Sequence, residues 1–86
     1  MDAFIYFDGR ILLGLDTLED ALDEALKGIG EVTGTGTGQT GSNIDVFVDD
    51  GSLSKNELIQ IIRQALSAFR LPESSKIRID GEEFSL

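Results

Sequence analysis

The chain has 86 residues, 41% of them hydrophobic, a formal net charge of −9, and neither cysteine nor histidine. That length fits one α+β domain spanning residues 1–86 around one core, and the hydrophobic content excludes a disordered chain. The missing residue types exclude disulfides, the usual His/Cys zinc sites and the common nucleophilic dyads.

The charge is unevenly divided. Residues 1–50 hold eleven acids against Arg10 and Lys27, whereas residues 51–86 balance five acids against five bases. An acidic first half repels nucleic acid and attracts basic partners. No apolar run approaches the roughly 18 residues that cross a bilayer. The opening MDAFIYFDG lacks the basic flank and cleavage site of a secretory leader, so a cytoplasmic protein without a membrane partner is expected.

In chain order, Ala3 to Phe7 is a β-branched and aromatic run closed by the turn dipeptide Asp8-Gly9, and it reads as the first strand. With Ile5 and Phe7 inward, Phe4 and Tyr6 point the opposite way. Arg10 to Leu13 fits either the return arm of a hairpin or an extended link. Asp16 to Ile29 reads as a helix capped by Asp16 or Thr17, with Leu15, Leu18, Leu22, Ala25, Leu26 and Ile29 as its buried stripe. Glu19, Asp20, Asp23 and Glu24 remain outside as an acidic ridge. Gly28 and Gly30 are expected to stop the helix in left-handed conformations.

Gly30 to Asp50 is the stretch around which the chain is organised. Ile44, Val46 and Val48 alternate with Asp45, Phe47 and Asp49, the period-two signature of a half-buried strand. Before it, the glycine-threonine run reads either as a long flexible hairpin tip or as a strand continuing through Thr33, Thr35 and Thr37. Gly36-Thr37-Gly38-Gln39-Thr40-Gly41 fits the dinucleotide fingerprint only as a string, because that motif needs a helix next and a strand follows.

The second helix has sharper limits. Ser54 caps it, Glu57 completes the S-x-x-E box, and Leu53 with Leu58 are spaced as a hydrophobic staple. Leu58, Ile61, Ile62, Ala65, Leu66 and Phe69 form the expected inward face, and Leu71-Pro72 the expected end. Lys76 to Asp80 alternates with Ile77 and Ile79 inward, and Asp80-Gly81 turns into a final segment, Glu82 to Leu86, either a strand or not.

This order predicts a ferredoxin-like split βαβ sandwich, two helices on one face of an antiparallel sheet, with the glycine-threonine residues at one end and Asp49, Asp50 and Asp80 at the other. The open face would carry Phe4, Tyr6 and Phe47 together. Such a trio resembles the stacking platform of RNA-binding sheets, but the surrounding charge is wrong for RNA. The expected cover is the C-terminal Phe84 and Leu86 or a second copy, which leaves room for a homodimer. Asp49-Asp50 precedes a helix, where acids serve capping, and no calcium-loop spacing is present. No catalytic residue, cofactor or metal is therefore expected, and the chain does not read as an enzyme.

A small acidic α/β chain without cysteine, with a G-x-G-x-G hairpin running into an alternating SNIDVFV strand, resembles the small immunity proteins that bacteria hold against polymorphic and contact-dependent toxins. The resemblance implies a tight complex with a basic toxin. The contacts expected from charge and the glycine loop are Glu19, Asp20, Asp23 and Glu24 together with the loop from Gly34 to Ser42, including Gly34, Gly36, Gly38, Gln39 and Thr40. The competing reading is a ligand-sensing or dimerising module of the ACT kind that uses Phe4, Tyr6 and Phe47 on the open face.

Overall fold

The computed structural model of the chain describes residues 1–8, 15–38, 41–49, 51 and 53–86. It is an α+β structure in the order β1 (Asp2–Asp8), α1 (Leu15–Ala25), β2 (Gly30–Thr37), β3 (Gly41–Val48), α2 (Lys55–Leu66), β4 (Lys76–Ile79) and β5 (Glu82–Ser85). The five strands form one antiparallel sheet, β2-β3-β1-β4-β5. β5, left open by the sequence, widens the sheet beyond the four strands of the expected sandwich. Arg10 to Leu13 lie outside the described residues.

β1 is the central strand. Ala3, Ile5 and Phe7 are buried while Asp2, Tyr6 and Asp8 are exposed, as strict alternation requires. Its register sets Ile5 between Ile44 of β3 and Ile77 of β4, and Ala3 between Val46 and Ile79. This layer of β-branched side chains meets Leu18, Leu22 and Leu26 from the first helical segment and Leu58, Ile59, Ile62 and Leu66 from α2 in a single core. Ile44, Val46, Val48, Ile77 and Ile79 thus lie beneath the helices, where each contributes roughly 1.5–3 kcal/mol by burial.

Both helices are shorter than expected, and both stripes are slightly rotated. α1 stops at Ala25, because Leu26 to Gly30 tightens into turns with Ile29 and Gly30 N–H groups both donating to the Leu26 carbonyl. Ala25 is exposed and Ala21 half-buried in its place. Gly28 takes the left-handed conformation at φ +87°. Gly30 does not: it begins β2 so close to β3 that a Cβ there would collide with the Phe47 carbonyl. α2 ends at Leu66, not at Leu71, with the Ser67 hydroxyl donating to the Gln64 carbonyl at 2.7 Å. Ile59, absent from the expected stripe, is buried, and Ile61 is only half-buried.

The start of α2 follows the sequence closely. The Glu57 N–H donates to the Ser54 hydroxyl at 3.2 Å, and the Ser54 N–H donates to the Glu57 carboxylate at 3.0 Å. The Ser54 N–H first, and then the Ser54 side chain, hold the Glu57 carboxyl below the ordinary glutamate range. At the other end of the chain, Asp80 at φ +52° and Gly81 at φ +81° make the two-residue turn whose twist matches the flanking β4 and β5.

Two outcomes follow from this packing. Leu22→Ala should lower unfolding free energy by about 2–5 kcal/mol, while Ala25→Ser stays within about 0.5 kcal/mol, both read from urea midpoints at constant slope. Glu57→Ala should lower the melting temperature at neutral pH. Because the folded carboxyl titrates below its unfolded value, its stabilisation is present above the unfolded pKa and lost as pH falls through the folded one. The melting-temperature gap between wild type and Glu57→Ala should therefore narrow as pH drops below the ordinary glutamate range.

Candidate functional site

Antiparallel pairing leaves one sheet face without helices. On it, Phe4 sits opposite Asp45 and Arg78, Tyr6 opposite Asn43 and Lys76, and Phe47 opposite Asp2 and Glu31. The expected aromatic trio does share this face. Tyr6 is 37% and Phe47 38% exposed, and Phe4 is half-buried. The expected cover from the C-terminus is not there, because Phe84 pairs with Ile77 and packs against the helix-side core together with Leu86. Each aromatic is interleaved with charged or amide side chains, so the face is a chequer of rings and polar groups.

The glycine-threonine stretch is mostly strand. β2 carries Gly34, Gly36 and Thr37 in register with Asp45, Asn43 and Ser42, so the expected loop from Gly34 to Ser42 narrows to the turn after Thr37. Gln39 and Thr40 lie outside the described residues, and Gly38 donates its N–H to the Gly41 carbonyl at 2.8 Å. A bulge between Val32 and Gly34 inserts Thr33, whose hydroxyl donates to the Asp45 carbonyl at 3.3 Å. The bulge reverses the alternation. Val32 faces the helices, while Gly34 and Gly36 lie on the open face over Asp45 and Asn43, where a Cβ at Gly36 would come within 2.8 Å of the Asn43 amide oxygen. A mobile loop ordering on a partner is thus replaced by a preformed strand.

The acidic ridge is present but uneven. Asp20, Asp23 and Glu24 are exposed, Glu19 is half-buried, and Asp16 is exposed at the start of the helix. Asp23 is more than a surface charge: its Oδ1 accepts the Val32 N–H at 2.9 Å and ties α1 to β2 just before the bulge. Sequence periodicity placed Asp23 outside but held no sign of a strand amide beside it. α1 packs on β2 and α2, so the ridge and the glycine strand form one continuous surface.

Bases of the second half lie elsewhere. Lys55 pairs with Glu82 at 2.8 Å, Arg78 with Glu83 at 2.9 Å, and Arg63 donates to the Ser85 carbonyl at 2.6 Å. The Glu82 hydrogen bond raises the Lys55 pKa above the ordinary lysine value. Among the described residues, no lysine or arginine forms an ion pair with Asp16, Glu19, Asp20 or Glu24. A groove of about 380 Å³ between the end of α2 and the Pro72 turn is lined chiefly by Leu66, Phe69, Leu71 and Leu86. No described helix is long and apolar enough to cross a membrane.

Comparison with protein-family models, curated proteins and solved structures gives no match to this chain.

The bond from Val32 to Asp23 can be tested directly. Asp23→Ala should speed Val32 amide exchange and cost about 1 kcal/mol of stability. Asp23→Asn keeps an acceptor and should retain most of the protection. Equal Val32 exchange in wild type and both variants would show that the carboxylate does not hold this amide.

Proposed function

We propose that this chain is a non-enzymatic acidic protein-binding module, an inhibitor of the kind that small bacterial immunity proteins provide, engaging a basic partner in the cytoplasm. The observation that carries the reading is the continuity of α1 with β2 through Asp23 and Val32. A carboxylate ridge with no ion pair to a described lysine or arginine then lies beside a preformed strand, and Lys55, Arg63 and Arg78 are occupied at the opposite edge. Such a surface raises the encounter rate with a cationic protein and disfavours acidic competitors.

The fold belongs, in the same proposal, to the ferredoxin-like split βαβ sandwich. The order β2-β3-β1-β4 with a helix in each crossover supports this, and β5 is an added edge strand. A second reading, a ligand-sensing or dimerising module of the ACT kind, is favoured by the exposure of Tyr6 and Phe47 on the helix-free face.

Association kinetics test the first reading. Proteins retained by the immobilised chain at low ionic strength are eluted with salt and identified, and their association rates are measured against ionic strength. The comparison is with a triple variant, Asp16→Asn, Asp20→Asn and Glu24→Gln, which spares Asp23. A basic partner should associate on the order of tenfold more slowly with the variant and with a flatter salt dependence, at unchanged melting temperature. Equal rates, or partners that are neutral or acidic, would remove the ridge from the interface. A native mass of two chains that Tyr6→Ser or Phe47→Ser reduces to one would support the second reading instead.

A further inference from the structure

The two edges of the sheet are treated differently. β5 has four residues, and its last carbonyl is held by Arg63 while Lys55 holds Glu82. β2 has eight residues and carries neither lysine nor proline, the side chains that commonly blunt an edge.

Its pairing fixes which backbone groups are turned outward. The Gly38 N–H bonds the Gly41 carbonyl, so by antiparallel alternation Gly36 and Gly34 exchange bonds with Asn43 and Asp45. Thr35 and Thr37 consequently direct their N–H and C=O groups away from β3. Val32 is the outward residue on the other side of the bulge, and its N–H is the one taken by Asp23. Both threonine side chains are exposed, and no described residue bonds their outward backbone groups.

Charge identifies what fits there. The chain doubles back through 26–29, so α1 runs antiparallel to β2, and Asp16, Asp20 and Asp23 share one helical stripe at spacings of four and three. From Asp23 to Asp16 is about 10 Å along the helix, and from Val32 to Gly36, three steps of β3 because the bulge adds no length, is about 10 Å along the strand. The stripe therefore follows the edge, with Asp16 near the level of Gly36, between Thr35 and Thr37. A second copy pairing here in antiparallel fashion would bring two such stripes side by side.

We infer that the outer edge of β2 is a strand-addition site for an extended, basic segment of a partner protein, bonded through the outward backbone groups of Thr35 and Thr37. Side chains at alternate positions of the added strand meet Asp16 and Asp20, which is where lysine or arginine is selected. On the other face Gly34 and Gly36 present no side chain, so side chains of the added strand can reach across β2 toward Asn43 and Asp45. This inference rests on the acidic-surface reading and names its binding mode.

The test uses the full chain and an end-capped octapeptide alternating valine with lysine. At low salt the peptide should bind, slow amide exchange at Thr35 and Thr37 by about tenfold or more, and leave β5 amides unchanged. Thr35→Pro removes an outward N–H without touching the β3 ladder, and it should weaken binding about tenfold or more. Thr37→Pro serves if the first variant does not fold, and protection in the wild type needs no variant. Asp16→Asn with Asp20→Asn should weaken binding and flatten its salt dependence. If the aspartate changes abolish binding while Thr35→Pro binds normally with Thr37 unprotected, strand addition is wrong and the acidic surface stands. Equal binding of a valine-glutamate octapeptide overturns both. No binding of the lysine peptide at low salt overturns the strand-addition site.

Discussion

Burial of β1 between two antiparallel neighbours is the constraint from which the rest of the molecule follows. Ile5 is flanked by Ile44 and Ile77, and Ala3 by Val46 and Ile79, so the central strand joins the halves of the chain before either helix is considered. A strand flanked on both sides has no free edge. The remaining pairing capacity passes outward along the two hairpins, and the sheet must end on β2 and β5. Where the molecule has an unpaired backbone, and what charge surrounds it, is thereby decided by the middle of the sheet.

Much of this was legible in the sequence because strong periodicity and capping chemistry leave few alternatives. The alternation in β1, β3 and β4 identified the core face, and the Ser54 and Glu57 spacing marked the start of α2. The helix ends were less legible. Leu26 and Phe69 are apolar at helical spacing in segments already turned out of the helix, and Ser67 bonding Gln64 leaves no glycine or proline as a marker. Ile59 was missed because the adjacent pairs Leu58-Ile59 and Ile61-Ile62 fit more than one helical phase, and packing on the sheet chooses between them. The glycine-threonine segment was ambiguous for a related reason. Glycine has low strand propensity, and only pairing with β3 supplies the bonds that keep it extended.

The acidic surface shows how composition becomes geometry. The net charge of the first half was visible in the residue count, but its placement required α1 to lie along β2. One of its carboxylates has become part of the frame through Val32, while Asp16, Asp20 and Glu24 remain at the surface. The neutral second half is organised the other way, with Lys55, Lys76 and Arg78 paired to carboxylates of the C-terminal hairpin and Arg63 bonded to its last carbonyl. Charge segregation along the sequence has become segregation between the two edges of one sheet.

The bulge at Thr33 has a further consequence for how β2 finds its partner. A repeat of threonine and glycine is translationally degenerate: sliding by two residues along β3 would present the same residue types to the same faces. Such repeats invite mispairing, because nothing in their pattern penalises the shift. The irregularity at Thr33 breaks this symmetry, with the Val32 and Val46 pair on one side and the tight approach of Gly30 to Phe47 beyond it. A slip one way would carry Val32 into the place that only Gly30 fits, and a slip either way would draw Val32 away from Asp23. A low-information repeat thus acquires a unique alignment from three residues at one end, which leaves its outer rim of threonines free to vary without loss of register.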